Sequence, residues 1–115
     1  MNRKGFVSVH EDDDLIRQLL ERWLGEAGYT VQRTADESPC LVIADIPNPH
    51  TAPSRIEALR AVYAAPILVL SGRFRRGLAA SAEAARRLGV KKVLPKPFSR
   101  RELLSAVDEA LKDAK

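Results

Sequence analysis

A single cysteine, Cys40, leaves the chain without an internal disulfide or a cysteine-cluster metal site, and gives that residue the role of a small buried hydrophobe. No apolar run approaches the roughly 18 residues of a membrane span. The start, Met1-Asn2-Arg3-Lys4-Gly5, passes into a short strand pattern instead of the apolar core of a signal peptide. A soluble, cytoplasmic protein with no membrane partner is expected. Repeats, low-complexity tracts and linkers are also missing, and 115 residues with 45% hydrophobic content suit one domain over 1–115.

Charge is unevenly spread. Residues 1–58 carry 6 Lys and Arg against 10 Asp and Glu, a net −4, whereas residues 59–115 carry 13 against 5, a net +8. A basic half raises nucleic acid as a partner, but only Tyr63, Phe74 and Phe98 accompany it. Stacking on bases has little support, so a nucleic-acid role is the weakest of the expectations.

What is present is a succession of short apolar strands and amphipathic helices. Cys40-Leu41-Val42-Ile43-Ala44-Asp45 is an apolar run bounded by Pro39 and by Pro47 and Pro49, the pattern of a strand buried on both faces. It ends on a carboxylate. Pro66 to Ser71 repeats the design and ends on a hydroxyl. Phe6 to His10 reads as the first strand, Tyr29 to Thr34 as a weakly alternating edge strand, and Val90 to Pro95 as the last.

Helices are expected between most of them. Leu15/Ile16, Leu19/Leu20, Trp23/Leu24 and Ala27 recur at helical spacing, pack against a sheet and end at Gly28. Ser54-Arg55-Ile56-Glu57 reads as a capping box opening a helix to about Tyr63, whose apolar face is Ile56, Leu59, Val62 and Tyr63. Leu78 to Leu88 is an alanine-rich helix ending at Gly89. Ser99-Arg100-Arg101-Glu102 is a second capping box, followed by Leu103/Leu104, Val107 and Leu111. Alternating strands and helices imply a mostly parallel sheet covered on both sides. One connection does not conform: Ala35 to Pro39 can span only roughly 17 Å, too little for a helical crossover.

In a parallel sheet the carboxyl ends of the strands form the ligand-binding edge. They would bring together Glu11 and Asp12 after the first strand, Asp45, Ser71 and Lys96. Clustered carboxylates need a cation, and an oxygen-only set suits Mg²⁺ better than zinc. With a lysine and a hydroxyl opposite, such a pocket would stabilise a phosphoryl group, Asp45 acting as nucleophile to form an acyl phosphate. Asp13 is expected to cap the first helix. His10 reads as a strand-end residue in a polar setting, and Arg73, Arg75 and Arg76 as a basic loop open to solvent or to an acidic partner.

Four segments, in this order, carry a resemblance covering nearly the whole chain: the acidic pair followed by Leu15-Ile16, the apolar strand ending at Asp45 with Pro49 four on, Val69-Leu70-Ser71, and Leu94-Pro95-Lys96-Pro97-Phe98. The chain resembles a response-regulator receiver domain of bacterial two-component signalling. The resemblance implies a flavodoxin-like, doubly wound parallel sheet of five strands, here lacking the helix between the second and third. It implies Mg²⁺ held by the Glu11 and Asp12 side, Asp45 and the carbonyl of Pro47. A sensor histidine kinase or phosphotransfer protein would pass its phosphoryl group to Asp45 in a phosphorelay, with Lys96 and Ser71 bonding that group. The Lys96-Pro97 bond would be cis. Catalysis would extend only to the chain's own phosphorylation and dephosphorylation, and output would run through a downstream protein partner.

Two departures bear on output. Without the second helix, part of one sheet face is expected to be covered by a relocated loop, a partner or a second protomer in a homodimer. Val93 stands where the family usually has a switching Tyr or Phe, so aromatic gating cannot operate. The alternative is a degenerate receiver acting as a phosphorylation-independent interaction or dimerisation module.

Overall fold

Side-chain parity along the central strands builds the molecule. A computed structural model describes residues 5–32, 38–47, 50–72 and 78–112. Its strands are β1 (Phe6–His10), β2 (Thr30–Gln32), β3 (Leu41–Asp45), β4 (Ile67–Ser71) and β5 (Lys92–Pro95). All pairings are parallel, in the order β2-β1-β3-β4-β5. Because successive side chains point to opposite faces, Leu41, Ile43, Leu68 and Leu70 enter one core while Val42, Ala44, Ile67 and Val69 enter the other. Both central strands are therefore apolar up to their last residues, Asp45 and Ser71.

The first core is closed by α1 (Asp14–Glu26) and α4 (Arg100–Lys112), the second by α2 (Ala52–Val62) and α3 (Leu78–Leu88). This is the expected doubly wound arrangement. The Ser99 box is formed in full: Glu102 N donates to Ser99 Oγ at 3.1 Å and Ser99 N donates to Glu102 Oε1 at 2.9 Å. Gly28 and Gly89 have φ of 101° and 73°, the left-handed conformation that ends a helix at least strain in glycine. The Lys96-Pro97 bond is cis.

Two boundaries and two burial assignments differ from the sequence reading. The α2 helix begins at Ala52 with Thr51 at its N-cap, so Ser54 is inside the first turn and no capping box forms there. Pro53 fits that turn because its missing N–H would have had no helical partner. Of the apolar face assigned to α2, Val62 is 64% exposed. On α1, Leu20 and Leu24 are fully buried and Ile16 and Trp23 pack against the same core, but Leu15 and Leu19 are 74% and 42% exposed and do not pack against the sheet as expected. The last strand starts at Lys92, not Val90.

Among the described residues no helix lies between β2 and β3, as expected. The described β2 ends at Gln32, leaving residues 33–40 for the crossing instead of five, a reach of about 26 Å. Cys40 N then donates to Phe6 O at 2.8 Å, so the chain is beside β1 as soon as it arrives. Residues 33–37, 48–49 and 73–77, including Pro49, Arg73, Arg75 and Arg76, lie outside the described residues.

The sheet face next to that crossover differs from expectation. Its parity brings up Phe6, Ser8, His10 and Thr30, mostly polar, rather than an apolar patch. Ser8 is only 3% exposed and its hydroxyl lies 2.9 Å from His10 Nε2, while the Tyr63 ring meets His10 edge-on at 5.5 Å. His10 at the strand end therefore has the expected polar partner in Ser8 and, in addition, is half-buried against an aromatic ring.

Candidate functional site

Four of the sequence-derived residues meet at the carboxyl edge of the sheet. Glu11 follows β1, Asp45 ends β3, Ser71 ends β4 and Lys96 follows β5. Parallel pairing brings these ends to one edge, and Ile46, fully buried and donating its N–H to Leu70 O at 2.9 Å, fixes the backbone past Asp45. Lys96 is anchored the same way, its N–H donating to Ser71 O at 3.0 Å.

Lys96 Nζ lies 2.9 Å from Glu11 Oε1 and 2.8 Å from Asp45 Oδ1. One ammonium therefore separates two carboxylates that would otherwise repel. Side-chain exposure is 2% for Glu11, 16% for Asp45 and 20% for Lys96. Burial alone would lower the Lys96 pKa, but hydrogen bonds to Asp45 and Glu11 outweigh it and hold the ammonium above its ordinary range.

The four consecutive acids divide their work. Glu11 turns into the site, its second oxygen accepting from Asp13 N at 3.1 Å. Asp13 caps α1 as expected, its Oδ1 accepting from Leu15 N and Ile16 N at 2.9 and 3.1 Å. Asp14 pairs with Arg17 at 2.8 Å, and Asp12 is exposed at the rim. Pro47 is exposed on the loop beyond β3, and the Ser71 side chain is fully buried.

The donor set can be tested against a divalent cation. Among the described residues no three His, Cys, Asp or Glu side chains are gathered as a metal-binding group, so Glu11, Asp12 and Asp45 do not form a ready three-carboxylate cage. Mg²⁺ does not demand one: it is commonly held by one or two carboxylates, waters and phosphate oxygens. The paired Glu11 and Asp45 carboxylates fit that requirement, with Asp12 and the Pro47 carbonyl as outer candidates.

Sequence reasoning grouped the acids, Ser71 and Lys96 but did not distinguish Glu11 from Asp12. Trp23 packs against the core as expected, and its partly exposed ring also meets Phe98 edge-on at 6.4 Å beside Lys96. The adjacency of Trp23 and Leu19 in one helical row was the available signal.

The fold has close counterparts among solved structures. The chain is similar to a response regulator receiver protein from Burkholderia phymatum, with TM-score 0.71 and 23% identity over 96% of this chain and 98% of that one. Full-length FixJ from B. japonicum matches with TM-score 0.70 and 25% identity, over 99% of this chain and 61% of that one. The beryllofluoride-activated NtrC receiver domain matches with TM-score 0.67 and 28% identity, over 100% and 99%. By sequence, neither a family model nor a curated protein matches.

Proposed function

From the premise that the chain has the response-regulator receiver fold, less one helix, we propose that it accepts a phosphoryl group on Asp45 and signals through altered protein contacts. The observation that carries this reading is the Lys96 ammonium lying between Glu11 and Asp45 at the carboxyl edge of the sheet. A carboxylate oxygen of Asp45 attacks the phosphorus of a phosphohistidine on a sensor kinase or phosphotransfer protein. The P–O bond forms as the P–N bond breaks, and the imidazole leaves as a neutral ring after taking up a proton. Lys96 follows the charge onto the phosphoryl oxygens, and the Ser71 hydroxyl donates to one of them. Bound beside Glu11 and Asp45, Mg²⁺ would offset the charge spread over the equatorial oxygens.

No helix among the described residues is long and apolar enough to cross a membrane, which suits the cytoplasmic setting of a phosphorelay. The test is to incubate the protein with Mg²⁺ and a small-molecule phosphodonor and to measure intact mass, with Asp45→Ala as control. One phosphate adduct, lost in the variant, is expected. No adduct and no Mg²⁺ affinity would favour the degenerate interaction module, a reading to which Val93, fully buried and unable to gate, lends some weight.

A further inference from the structure

The basic excess of residues 59–115 is only partly used by the acceptor site. Lys96 serves that site, Lys92 pairs with Glu109 at 3.0 Å and Arg100 reaches Glu26 at 3.4 Å. Among the described residues, Arg60, Arg86, Arg87 and Lys91 have no carboxylate partner, and all four are exposed. Arg60 is in the last turn of α2, Arg86 and Arg87 are in the last turn of α3, and Lys91 leads into β5. Unpaired positive charge therefore collects at the amino edge of the sheet. From Ile67, where β4 starts, to Ser71, where it ends beside Lys96, is about 13 Å.

Arg60 and Lys91 line a cavity of about 340 Å³ at this edge, with Pro66, Ile67 and Val90 as apolar wall. The Arg60 guanidinium is held in place by donating to Gly89 O, across from α2 to the turn after α3. Glycine permits the approach, because a Cβ at position 89 would lie 3.0 Å from the same nitrogen. The remaining guanidinium donors have no acceptor among the described residues, so the fork is oriented yet open to an anion.

The lining selects which anion. The N–H groups of Gly89, Val90 and Lys91 already donate to Arg86 O, Ala85 O and Ile67 O, at 3.2, 3.0 and 3.0 Å, which leaves no nest of backbone donors for a phosphate. Helices α2 and α3 both end here, and their carbonyl ends oppose a multiply charged group. No aromatic is among the described residues lining the cavity, so a base has nothing to stack on. A single carboxylate between Arg60 and Lys91, with an aliphatic neighbour against Pro66, Ile67 and Val90, meets each of these conditions. Arg86 and Arg87 extend the charge beyond the cavity, which suits a peptide of several residues better than a small free acid.

We propose that this cavity binds an acidic segment of a protein partner, in which an aspartate or glutamate stands beside a leucine-like residue. Binding there needs no phosphoryl group on Asp45 and so stands apart from the acceptor reading. The experiment uses the full chain, ¹⁵N-labelled, and a labelled hexapeptide of alternating glutamate and leucine, with lysine–leucine and glutamate–glycine hexapeptides as controls. Anisotropy gives affinity and amide shifts give the location.

The glutamate–leucine peptide is expected to bind and to move the amides of Ile67, Gly89, Val90 and Lys91, with both controls about tenfold or more weaker. Arg60→Glu and Lys91→Glu should each weaken binding by about tenfold or more. Arg101→Glu, the same charge change on the exposed side of α4, should cost less than about twofold. Should Arg60→Glu fail to fold, Lys91→Glu carries the test, since the Lys91 side chain has no partner among the described residues. An equal loss in Arg101→Glu, or equal binding of the glutamate–glycine peptide, overturns the inference as general attraction to a basic protein. No binding, or shifts confined to other surfaces, overturns it as well. A random DNA duplex that binds more tightly than the peptide, with the same dependence on Arg60 and Lys91, overturns it in favour of nucleic acid.

Discussion

Lys96 Nζ lies 2.9 Å from Glu11 Oε1 although the two residues are 85 apart in sequence. Glu11, its side chain only 2% exposed, thus receives its countercharge from the other end of the chain. Taking a carboxylate out of water is unfavourable unless it is paired and hydrogen-bonded, and Glu11 uses both oxygens, one on Lys96 and one on the Asp13 N–H. The site therefore exists only in the folded protein.

Removal of the shared cation should expose this dependence. Lys96→Met leaves Glu11 and Asp45 facing each other without a countercharge and is expected to destabilise the fold by about 2–3 kcal/mol, somewhat below a fully buried pair because Asp45 retains solvent contact. Millimolar Mg²⁺ should recover part of that loss, and more in the variant than in the wild type. Urea unfolding with and without Mg²⁺ measures both; a variant as stable as wild type would refute the account.

The two leucine rows of α1 should differ sharply. Leu20→Ala empties a fully buried position and is expected to destabilise by about 2–5 kcal/mol, whereas Leu15→Ala, at 74% exposure, should stay within about 0.5 kcal/mol. Equal losses in chemical denaturation would show that α1 is rotated relative to this description.

Ser99→Ala removes the hydroxyl that accepts from Glu102 N at the start of α4. The expected loss is about 1 kcal/mol, which lowers the melting temperature by roughly 3–6 °C in a domain of this size. Ser54→Ala, inside the first turn of α2, should have a smaller effect. Calorimetry on the pair would contradict the assigned caps if the order were reversed.

His10 should make stability depend on pH. Burial, and secondarily the charge of Arg55, holds its pKa below the ordinary 6.5. Since the unfolded chain then binds the proton more readily than the native one, the contribution of neutral His10 is present above the unfolded pKa and is lost as pH falls below it toward the folded value. Between about pH 7.5 and 5.5 the wild type should lose more thermal stability than His10→Gln. Parallel melting curves for the two proteins over that range would mean that His10 is not held neutral by its surroundings.

Much of this was legible in the sequence because the signals were local. The apolar run ending at Asp45, the Ser99/Glu102 capping box and the glycines at 28 and 89 each specify a backbone event within a few residues. Where two local readings competed, sequence alone misled. Ser54-Arg55-Ile56-Glu57 has the form of a capping box, yet Pro53 also suits a first helical turn, and the helix starts two residues before Ser54.

Local patterns in the sequence specified a parallel α/β sheet, the short connection between its second and third strands, and the polar residues at its carboxyl edge. Strand burial, helix period and chain reach are properties of short segments. Packing between distant segments settled that Glu11 rather than Asp12 turns inward to Lys96, that Leu15 and Leu19 remain in solvent while Leu20 and Leu24 are buried, and that Trp23 and Phe98 lie beside Lys96. Those choices depend on the rotation of α1 against the sheet and on contacts between distant segments, which no local pattern encodes.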